Sequence, residues 1–293
     1  MSISELAVRF FEQQQGLSLA IGALFGTLFG SFLNVVIVRL PQLLEDTEDN
    51  TESTAGTSVA AQFSKWLLIS PPSHCPGCSH RLAWYENVPL LSYLALAGKC
   101  SACRTAISLR YPMVEALTGA LALLALWRFG FTAGAAIGFG LACLLLVIAF
   151  IDAELMTIPD MLTLPAIWVG LAASAIGGPV TADRAILGAV CGYGILALIN
   201  AVYLILTHRQ GIGRGDWKLA AVIGAWLGLQ GLIGSLIVAF LTGSLVGLAM
   251  MLFFSRDRRS AVPFGPFLAC GGIIAIFFGQ GLANWYLGLI IGP

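Results

Sequence analysis

The chain has 293 residues, 58% of them hydrophobic and only 10% charged, whereas an average soluble domain carries about 25% charged residues. The mean hydropathy of +0.89 excludes a soluble globular protein and predicts an integral membrane protein with several spans. The formal net charge is zero, so only the distribution of charge along the chain is informative. The charged residues near the amino terminus predict no cleavable signal peptide.

The first predicted span covers residues 17–40, which is long enough to cross about 30 Å of hydrocarbon. Glycines at every fourth position predict a smooth face for close helix packing: Gly22, Gly26 and Gly30. Asn34 is expected to hydrogen-bond to a neighbouring helix, and Arg39 with Pro41 to end the span. Residues 1–41 therefore form the predicted amino-terminal segment.

Two polar segments follow the first span. Residues 42–70 include an acidic run without aromatic residues, which cannot bury enough apolar surface to order itself and predicts a flexible acidic loop. Residues 71–110 are polar and contain cysteines, so they are the segment able to form a small soluble domain. This domain would lie between the first and second spans.

Four of the seven cysteines form two Cys-x-x-Cys pairs with twenty-one residues between the pairs: Cys75, Cys78, Cys100 and Cys103. Each pair can act as a knuckle, and two knuckles can close a tetrahedron of thiolates around Zn²⁺. Four thiolates leave no position for water, so we expect a structural zinc site. The alternative is four cysteines without metal. His74 and His80 are expected to be surface or supporting groups. The other cysteines are expected to be small buried hydrophobes: Cys143, Cys191 and Cys270.

Seven further apolar runs predict seven more membrane helices. They cover residues 112–129, 132–151, 161–178, 185–207, 217–231, 232–254 and 265–290. The division near Gly231 is made because a single helix there would be too long for one span. The predicted fold is an all-α polytopic membrane protein with about eight transmembrane helices and a small zinc-ribbon-like domain between the first and second.

Basic residues predict the orientation in the membrane. If the amino terminus lies outside, twelve of the fifteen basic residues fall in inner loops, and only Arg9, Arg128 and Arg184 fall outside. The positive-inside rule then places both termini on the periplasmic side and the cysteine domain in the cytoplasm, where reducing conditions favour thiolate ligands over disulfides. Asp152 and Asp216 fall at the cytoplasmic ends of spans, so the topology allows them to meet.

The first of these aspartates stands at the end of an apolar run. An ionisable residue at the edge of a span indicates a functional site by default, which assigns function to Asp152. Pro159 prevents the helix from simply continuing. Asp160 is expected to cap the next helix, and Glu154 to be an interfacial acid on a solvated turn.

The second aspartate lies in the glycine-rich stretch Gly211-Ile212-Gly213-Arg214-Gly215-Asp216-Trp217-Lys218. Its glycines are expected to permit close approach and positive φ. Asp216 begins the next span, where a carboxylate also favours a helix N-terminus, so a glycine hinge with a helix cap is an alternative to a functional site. The stretch lacks the ending of a phosphate-binding P-loop and follows no predicted strand. Lys218 receives no role.

An aspartate pair in a partly desolvated site has a defined chemistry. The two carboxylates cannot both ionise at neutral pH, so they titrate as a unit. The ionised one can take a proton from water as the water attacks an amide carbonyl, and the protonated one can stabilise the oxyanion and help the amine to leave. Asp152 and Asp216 could in this way perform aspartic-protease chemistry.

Several motifs follow one another along the chain. They are Gly30-Ser31-Phe32-Leu33-Asn34, Cys75-Pro76-x-Cys78, Asn87-Val88-Pro89-Leu90-Leu91-Ser92-Tyr93, Gly98-Lys99-Cys100, Arg110-Tyr111-Pro112-Met113-Val114-Glu115, Ile158-Pro159-Asp160, Gly213-x-Gly215-Asp216-x-Lys218-Leu219 and Pro263-Phe264-Gly265-Pro266. With these motifs, nearly the whole chain resembles the type IV prepilin peptidases, which belong to the Gly-x-Gly-Asp intramembrane aspartic proteases.

The resemblance implies a peptidase activity. Such enzymes cleave the basic leader from prepilins and type II secretion pseudopilins at the cytoplasmic face of the bacterial inner membrane, after a glycine and before a residue that is usually phenylalanine. It implies that Asp152 and Asp216 are the catalytic aspartates and that residues 111–293 form the transmembrane peptidase domain. Prepilins, pseudopilins and membrane lipid are the expected partners, and nucleic acid is not.

The resemblance also implies a second activity. Members with the cysteine domain commonly N-methylate the new amino terminus with S-adenosylmethionine, which implies that Gly98 and Lys99 bind the methyl donor. Glu115 would then belong to the charged machinery of one of the two activities.

Two other classes of function remain open at this point. An ion-coupled transporter would use intramembrane carboxylates such as Asp152 and Asp216, but it gives the cysteine domain no role. A zinc-anchored membrane scaffold leaves both carboxylates unexplained. The acidic insert at residues 45–58 matches no motif of the resembled family and is expected to be a solvated linker.

Overall fold

The protein is described by a computed structural model that covers residues 15–49, 74–75, 77–253 and 262–291. Within these ranges the ordered structure is helical, and β structure is limited to two isolated bridges, His74–Arg81 and Lys99–Ala106. The chain forms two compact units, one ending at Phe139 and the other starting at Gly140.

Eight α-helices and one short 3₁₀ helix occur in the described chain. They are α1 (Gln15–Asp49), η1 (Trp84–Asn87), α2 (Leu91–Ala95), α3 (Arg110–Phe129), α4 (Ala133–Leu155), α5 (Asp160–Ala175), α6 (Ala182–Thr207), α7 (Arg214–Phe253) and α8 (Gly265–Ile291). Five of them are long and apolar enough to cross a membrane, namely α1, α3, α4, α6 and α7, while α5 and the first part of α8 are shorter apolar helices. The predicted all-α polytopic architecture is confirmed.

Helix α7 contains the predicted division between two spans. Gly228 leaves the helical region, with φ +68° and ψ −177°, so this helix of 40 residues consists of two segments joined at a kink. Positive φ is inexpensive for glycine alone, which explains why the chain changes direction at this residue. The prediction placed the break near Gly231, close to the observed kink.

Helix α1 packs against α3 through its glycine face. A Cβ atom at Gly26 or at Gly30 would lie 2.8 Å from backbone atoms of α3, so the two helices approach as closely as the glycine spacing predicted. The Asn34 side chain donates a hydrogen bond to the Tyr111 carbonyl oxygen at 3.0 Å. The predicted bond from Asn34 to a neighbouring helix is confirmed.

Helix α1 runs further than predicted. We expected Pro41 to end it before a flexible loop, but the helix continues to Asp49. Leu40 and Leu43, on either side of the proline, are buried, and their packing offsets the backbone hydrogen bond that a proline removes. Residues 50–70 of the predicted loop lie outside the described residues.

Helices α6 and α8 pack closely on α7 in the second unit. A Cβ at Gly188 of α6 would lie 2.3 Å from the Gly224 carbonyl oxygen of α7, and one at Gly271 of α8 would lie 2.3 Å from the Ser235 carbonyl oxygen. Large apolar side chains of three helices fill the core: Leu145, Ile148, Leu219, Ile223 and Leu268. This core holds the helix ends that carry the two aspartates.

The three remaining cysteines differ in burial. Cys143 is buried, Cys191 is half-buried and Cys270 is exposed. The expectation of a buried hydrophobe is therefore wrong for Cys270. A membrane helix does not need to bury a thiol in protein, because lipid accepts a small apolar side chain equally well.

Candidate active site and metal centre

Asp152 lies in the last turn of α4, and its side chain is only 5% exposed. Its Oδ2 atom accepts a buried hydrogen bond of 3.0 Å from the backbone N–H of Gly265, the first residue of α8. The helix ends just beyond it, at Met156, which has φ +54° and donates its N–H to the Asp152 carbonyl oxygen at 2.8 Å. A residue far along the chain therefore positions this carboxylate.

Asp216 is the third residue of α7 and is 7% exposed. Its Oδ2 atom accepts a hydrogen bond of 3.2 Å from the backbone N–H of Gly213, just before the helix. The Asp216 N–H in turn donates to the Gly213 carbonyl oxygen at 3.2 Å. A carboxylate at this position satisfies an N–H that the helix leaves unpaired, so the same side chain caps the helix and supplies a buried carboxylate.

Ile158 connects the two aspartate sites. A Cβ at Gly215, next to Asp216, would lie 2.7 Å from the Ile158 Cβ, and a Cβ at Gly265 would lie 3.1 Å from the Ile158 Cδ1 and 2.5 Å from the Asp152 Oδ2. The two carboxylates also interact electrostatically. The structure therefore brings Asp152 and Asp216 together, whereas the sequence predicted only that both lie on the same side of the membrane.

The two carboxylates share one pattern of bonding. Each uses Oδ2 to accept one backbone N–H, and among the described residues neither forms an ion pair with a basic side chain. Their Oδ1 atoms are thus available to water or to a substrate. Two buried carboxylates without a cationic partner can hold and exchange a proton, as a general acid and base must.

Asn200 of α6, which was not predicted from the sequence, holds the glycine-rich loop. Its Oδ1 atom accepts the backbone N–H groups of Gly211 at 3.0 Å and of Ile212 at 3.1 Å. Its position as a polar residue inside the apolar run at 185–207 could have indicated a structural or functional role. The loop glycines serve close approach, as predicted, but the expected positive φ is wrong for all three: Gly211, Gly213 and Gly215.

Lys218 forms a bidentate ion pair with Asp160, with its Nζ 2.5 Å from Oδ1 and 2.7 Å from Oδ2. The expectation that Asp160 caps α5 is wrong, because Pro159 occupies the cap position without a side-chain bond. The ion pair instead joins the start of α5 to the start of α7. Glu154 is exposed, as expected of an interfacial acid.

The two cysteine pairs form two copies of the same backbone turn. In the first turn, the Cys75 N–H donates to the His80 carbonyl oxygen, and the Cys75 carbonyl oxygen accepts the Ser79 N–H. In the second turn, the Cys100 N–H donates to the Thr105 carbonyl oxygen, and the Cys100 carbonyl oxygen accepts the Arg104 N–H. Ser79 and Arg104, whose N–H groups donate to the cysteine carbonyl oxygens, both have positive φ. Each turn is closed by one of the two isolated β-bridges, so both pairs have the geometry of a metal-binding knuckle.

The four sulfur atoms converge on one point. All lie within 4.8 Å of one another, and the Sγ atoms are 3.7 Å apart between Cys75 and Cys103 and 4.0 Å apart between Cys78 and Cys100. A tetrahedron with metal–sulfur bonds of about 2.3 Å has edges of about 3.8 Å. The cluster therefore has the right size to hold a metal ion.

Glu86 joins the two knuckles and was not predicted. Hydrogen bonds from the Ser101 hydroxyl, the Ala83 N–H and the His80 ring hold the pKa of this carboxyl below its ordinary value. The Ala83 bond is 2.8 Å long and the His80 contact is 3.3 Å. His80 thus supports the knuckle through Glu86, in line with its expected role as a supporting group.

The residues assigned to methyl-donor binding lie beside the second knuckle. Gly98 is buried with φ +68°, and a Cβ there would lie 2.8 Å from the Tyr93 hydroxyl oxygen, while the Lys99 side chain is exposed. Glu115 lies on α3, where its Oε2 atom accepts the N–H of Leu90 at 2.9 Å. Gly98 is therefore required by packing, whatever else it does.

Comparison with known proteins covers both units. Residues 24–129 match the model of the bacterial peptidase A24 N-terminal domain, and residues 139–248 match that of the type IV leader peptidase family. The boundary between the matches coincides with the boundary between the two compact units. No solved structure matches the chain.

Curated relatives match almost end to end. Proteins named prepilin leader peptidase/N-methyltransferase are 39% identical in Aeromonas salmonicida (strain A449), over 92% of this chain and 93% of theirs, and 40% identical in Pseudomonas aeruginosa, over 90% and 91%. One from Burkholderia pseudomallei (strain 1026b) is 41% identical over 90% and 86%. By this similarity over at least 90% of its length, the chain belongs to the type IV leader peptidase family.

Proposed function

We propose that this protein is a membrane aspartic endopeptidase that removes the leader peptide from type IV prepilins and type II secretion pseudopilins. The observation that carries the proposal is the pair of buried carboxylates, Asp152 and Asp216, which come from two helices and whose neighbouring glycines, Gly265 and Gly215, both lie against Ile158. The relatives named prepilin leader peptidase/N-methyltransferase, which this chain matches over more than 90% of their length, support the choice of substrate.

In the proposed mechanism, the pair carries one proton between its two carboxylates. The ionised aspartate takes a proton from a water molecule as that water attacks the scissile carbonyl carbon. The protonated aspartate donates a hydrogen bond to the developing oxyanion and then a proton to the leaving amine. The backbone bonds to Oδ2 from Gly213 and Gly265 fix both carboxylates, so that Oδ1 of each does this work.

The proposed location is the bacterial inner membrane, with both termini periplasmic and the cysteine module cytoplasmic. The distribution of basic residues supports this orientation, because the inner loops hold most of them. Cleavage then takes place on the cytoplasmic side, where the basic leader of a prepilin resides. A reporter enzyme fused after Arg259 is expected to read as cytoplasmic, and a periplasmic reading would contradict the orientation.

We propose Zn²⁺ as the metal of the four-cysteine module. Thiolate ligands at the observed sulfur spacing suit tetrahedral Zn²⁺, and four protein ligands leave no open position for chemistry. The ion would hold together the two knuckles around Cys75 and Cys100 and so shape the segment between them. Its role in this proposal is structural.

We further propose that the same chain N-methylates the new amino terminus with S-adenosylmethionine, which supplies the methyl group. Gly98 and Lys99 are the residues proposed to hold this donor. The exposed ammonium of Lys99 suits the carboxylate of such a molecule, and the packing of Gly98 on Tyr93 fixes the backbone beside it.

The direct test is cleavage of a prepilin by purified protein in detergent or vesicles. Asp152→Asn and Asp216→Asn are each expected to abolish cleavage while the protein still inserts and folds. Asp183→Asn is the matched control, because Asp183 is also an acid in the first turn of an apolar helix but is exposed. Normal processing by either active-site variant would reject the pair and would leave a transporter as the alternative use of these carboxylates.

A further inference from the structure

The interface between α1 and α3 contains a buried carboxylate that cleavage does not use. Glu115 is 8% exposed. It accepts hydrogen bonds from the Leu90 N–H and the Ser31 hydroxyl, and no basic side chain among the described residues pairs with it. An ionised carboxylate that is buried needs a compensating charge or further hydrogen bonds.

A second acceptor lies in the same interface. Asn34 is 2% exposed, and its Oδ1 atom has no hydrogen-bond partner. Its orientation is determined, because the Tyr111 carbonyl oxygen can only accept and therefore requires the Nδ2 group. Ser31 and Asn34 are three residues apart on α1, and Tyr111 and Glu115 are four apart on α3, so all four face one interface.

The side chains of Glu115, Asn34 and Ser31 therefore offer more acceptors than donors, since an ionised carboxylate has no donor and the Asn34 Oδ1 atom has no hydrogen-bond partner. The ligand that would satisfy it carries a positive charge and several N–H donors on one small group. A primary ammonium has three such donors and a full charge. An anion, or a neutral acceptor such as an ester, would leave both the Glu115 charge and the Asn34 Oδ1 atom unmatched.

We propose that Glu115, Asn34 and Ser31 form the subsite that binds the α-amino group of the cleaved pilin for N-methylation. This inference rests on the proposed methyltransferase activity and deepens it. Its position relative to the donor residues supports it, because the bonded Leu90 begins the segment that leads through Tyr93 to Gly98. The backbone carbonyl oxygen of Tyr93 accepts a hydrogen bond of 2.9 Å from the Gly98 N–H, which holds Gly98 next to the helix that follows Leu90.

The chemistry assigns Glu115 as the base. The pilin arrives as an ammonium, and the Glu115 carboxylate accepts one of its protons, which leaves a neutral amine with a free electron pair. That pair forms a bond to the methyl carbon of the sulfonium donor as the carbon–sulfur bond breaks, and the bonding electrons remain on sulfur as a neutral thioether. The methylated ammonium then leaves, and Glu115 returns its proton to solvent.

The first test replaces the charge and keeps the shape. In Glu115→Gln the side-chain carbonyl can still accept the Leu90 N–H, so the local fold is preserved. With a prepilin substrate we expect methyl incorporation to fall by at least about 100-fold, the usual contribution of a general base, while the cleaved and unmethylated product still forms. Asp183→Asn serves as the control for loss of an exposed acid.

The second test measures binding without a methyl donor. A peptide with the sequence of a mature pilin terminus, beginning with phenylalanine, is compared with its N-acetylated form. Wild-type protein is expected to bind the free amine at least about tenfold more tightly, a difference of 1.4 kcal/mol. Glu115→Gln is expected to abolish that preference, and Asn34→Leu to reduce it.

Three results would overturn the proposal. They are normal methylation by Glu115→Gln, equal binding of both peptides by wild-type protein, and loss of cleavage together with methylation in Glu115→Gln, which would indicate that Glu115 only supports the fold. Wild-type protein that neither cleaves nor methylates would contradict the proposed function instead. In that case the peptide comparison would still decide whether an ammonium site exists.

Discussion

The cysteine cluster and the aspartate pair are built in opposite ways. Each cysteine pair is held by one local turn that repeats its hydrogen bonds in both knuckles. The aspartates depend on segments far apart in the chain, since Gly265 lies 113 residues from the Asp152 that it bonds. The local device determines its own geometry, whereas the pair depends on how several helices of the second unit pack.

The difference predicts two kinds of sensitivity. A change in the cysteine module should act through the metal and be confined to the module. A change near the aspartates should displace their carboxylates, so substitutions of residues that do not touch the substrate should still reduce cleavage.

The largest effect is expected on metal content. Cys75→Ser removes one of four thiolates, and we expect the bound metal to fall from one ion per chain to well below that, with loss of methylation or of module stability. Metal analysis of purified protein measures it. Cys270→Ser is the control, because that cysteine is exposed and outside the cluster. Wild-type protein without metal would refute the metal site.

The next effect is expected at the backbone donor of Asp152. Gly265→Ala would place a methyl group 2.5 Å from the Asp152 Oδ2, and a displacement of about 1 Å costs an enzyme on the order of 100-fold in rate. We expect kcat for prepilin cleavage to fall by about that factor while KM changes little.

Gly279→Ala on the same helix is the matched control, since the nearest atom to its Cβ would be at 3.9 Å. Equal cleavage by the two alanine variants would show that the bond from Gly265 does not position Asp152.

A smaller effect is expected at the loop support. Asn200→Ala leaves the N–H groups of Gly211 and Ile212 without their acceptor, which costs about 1–3 kcal/mol. We expect cleavage to fall by roughly tenfold, with metal content unchanged. Thr207→Ala is the control on the same helix, because its hydroxyl bonds only within the helix. A loss of metal in Asn200→Ala would contradict the separation of the two regions.

The smallest effect is expected at the ion pair. Lys218→Met removes the partner of Asp160, whose side chain is 58% exposed, and such pairs contribute about 1 kcal/mol or less. We expect a slightly lower melting temperature and nearly normal cleavage, and high salt should reduce the difference. A loss of cleavage comparable to that of Gly265→Ala would assign Lys218 to the catalytic machinery.

The sequence predicted what local patterns determine. Apolar runs gave the helices, the glycine spacing of α1 gave its contact face, and the cysteine spacing gave a cluster that the structure shows to converge. It missed the role of Gly265 because its partner, Asp152, lies 113 residues away along the chain. It missed Asn200 and Glu86 for another reason: they bond to groups nearby in the chain, but no periodic pattern in the sequence marks those contacts. The prediction that α1 ends at Pro41 was wrong because the buried side chains on either side of the proline stabilise the helix beyond it.

The most direct test of the account replaces each buried carboxylate by its amide and measures both reactions on one prepilin. We expect Asp152→Asn and Asp216→Asn to abolish cleavage with metal content unchanged, and Glu115→Gln to retain cleavage but lose methylation. That result would show that the aspartate pair performs the cleavage and Glu115 the second reaction. Cleavage at the wild-type rate by Asp152→Asn or Asp216→Asn would contradict the central claim.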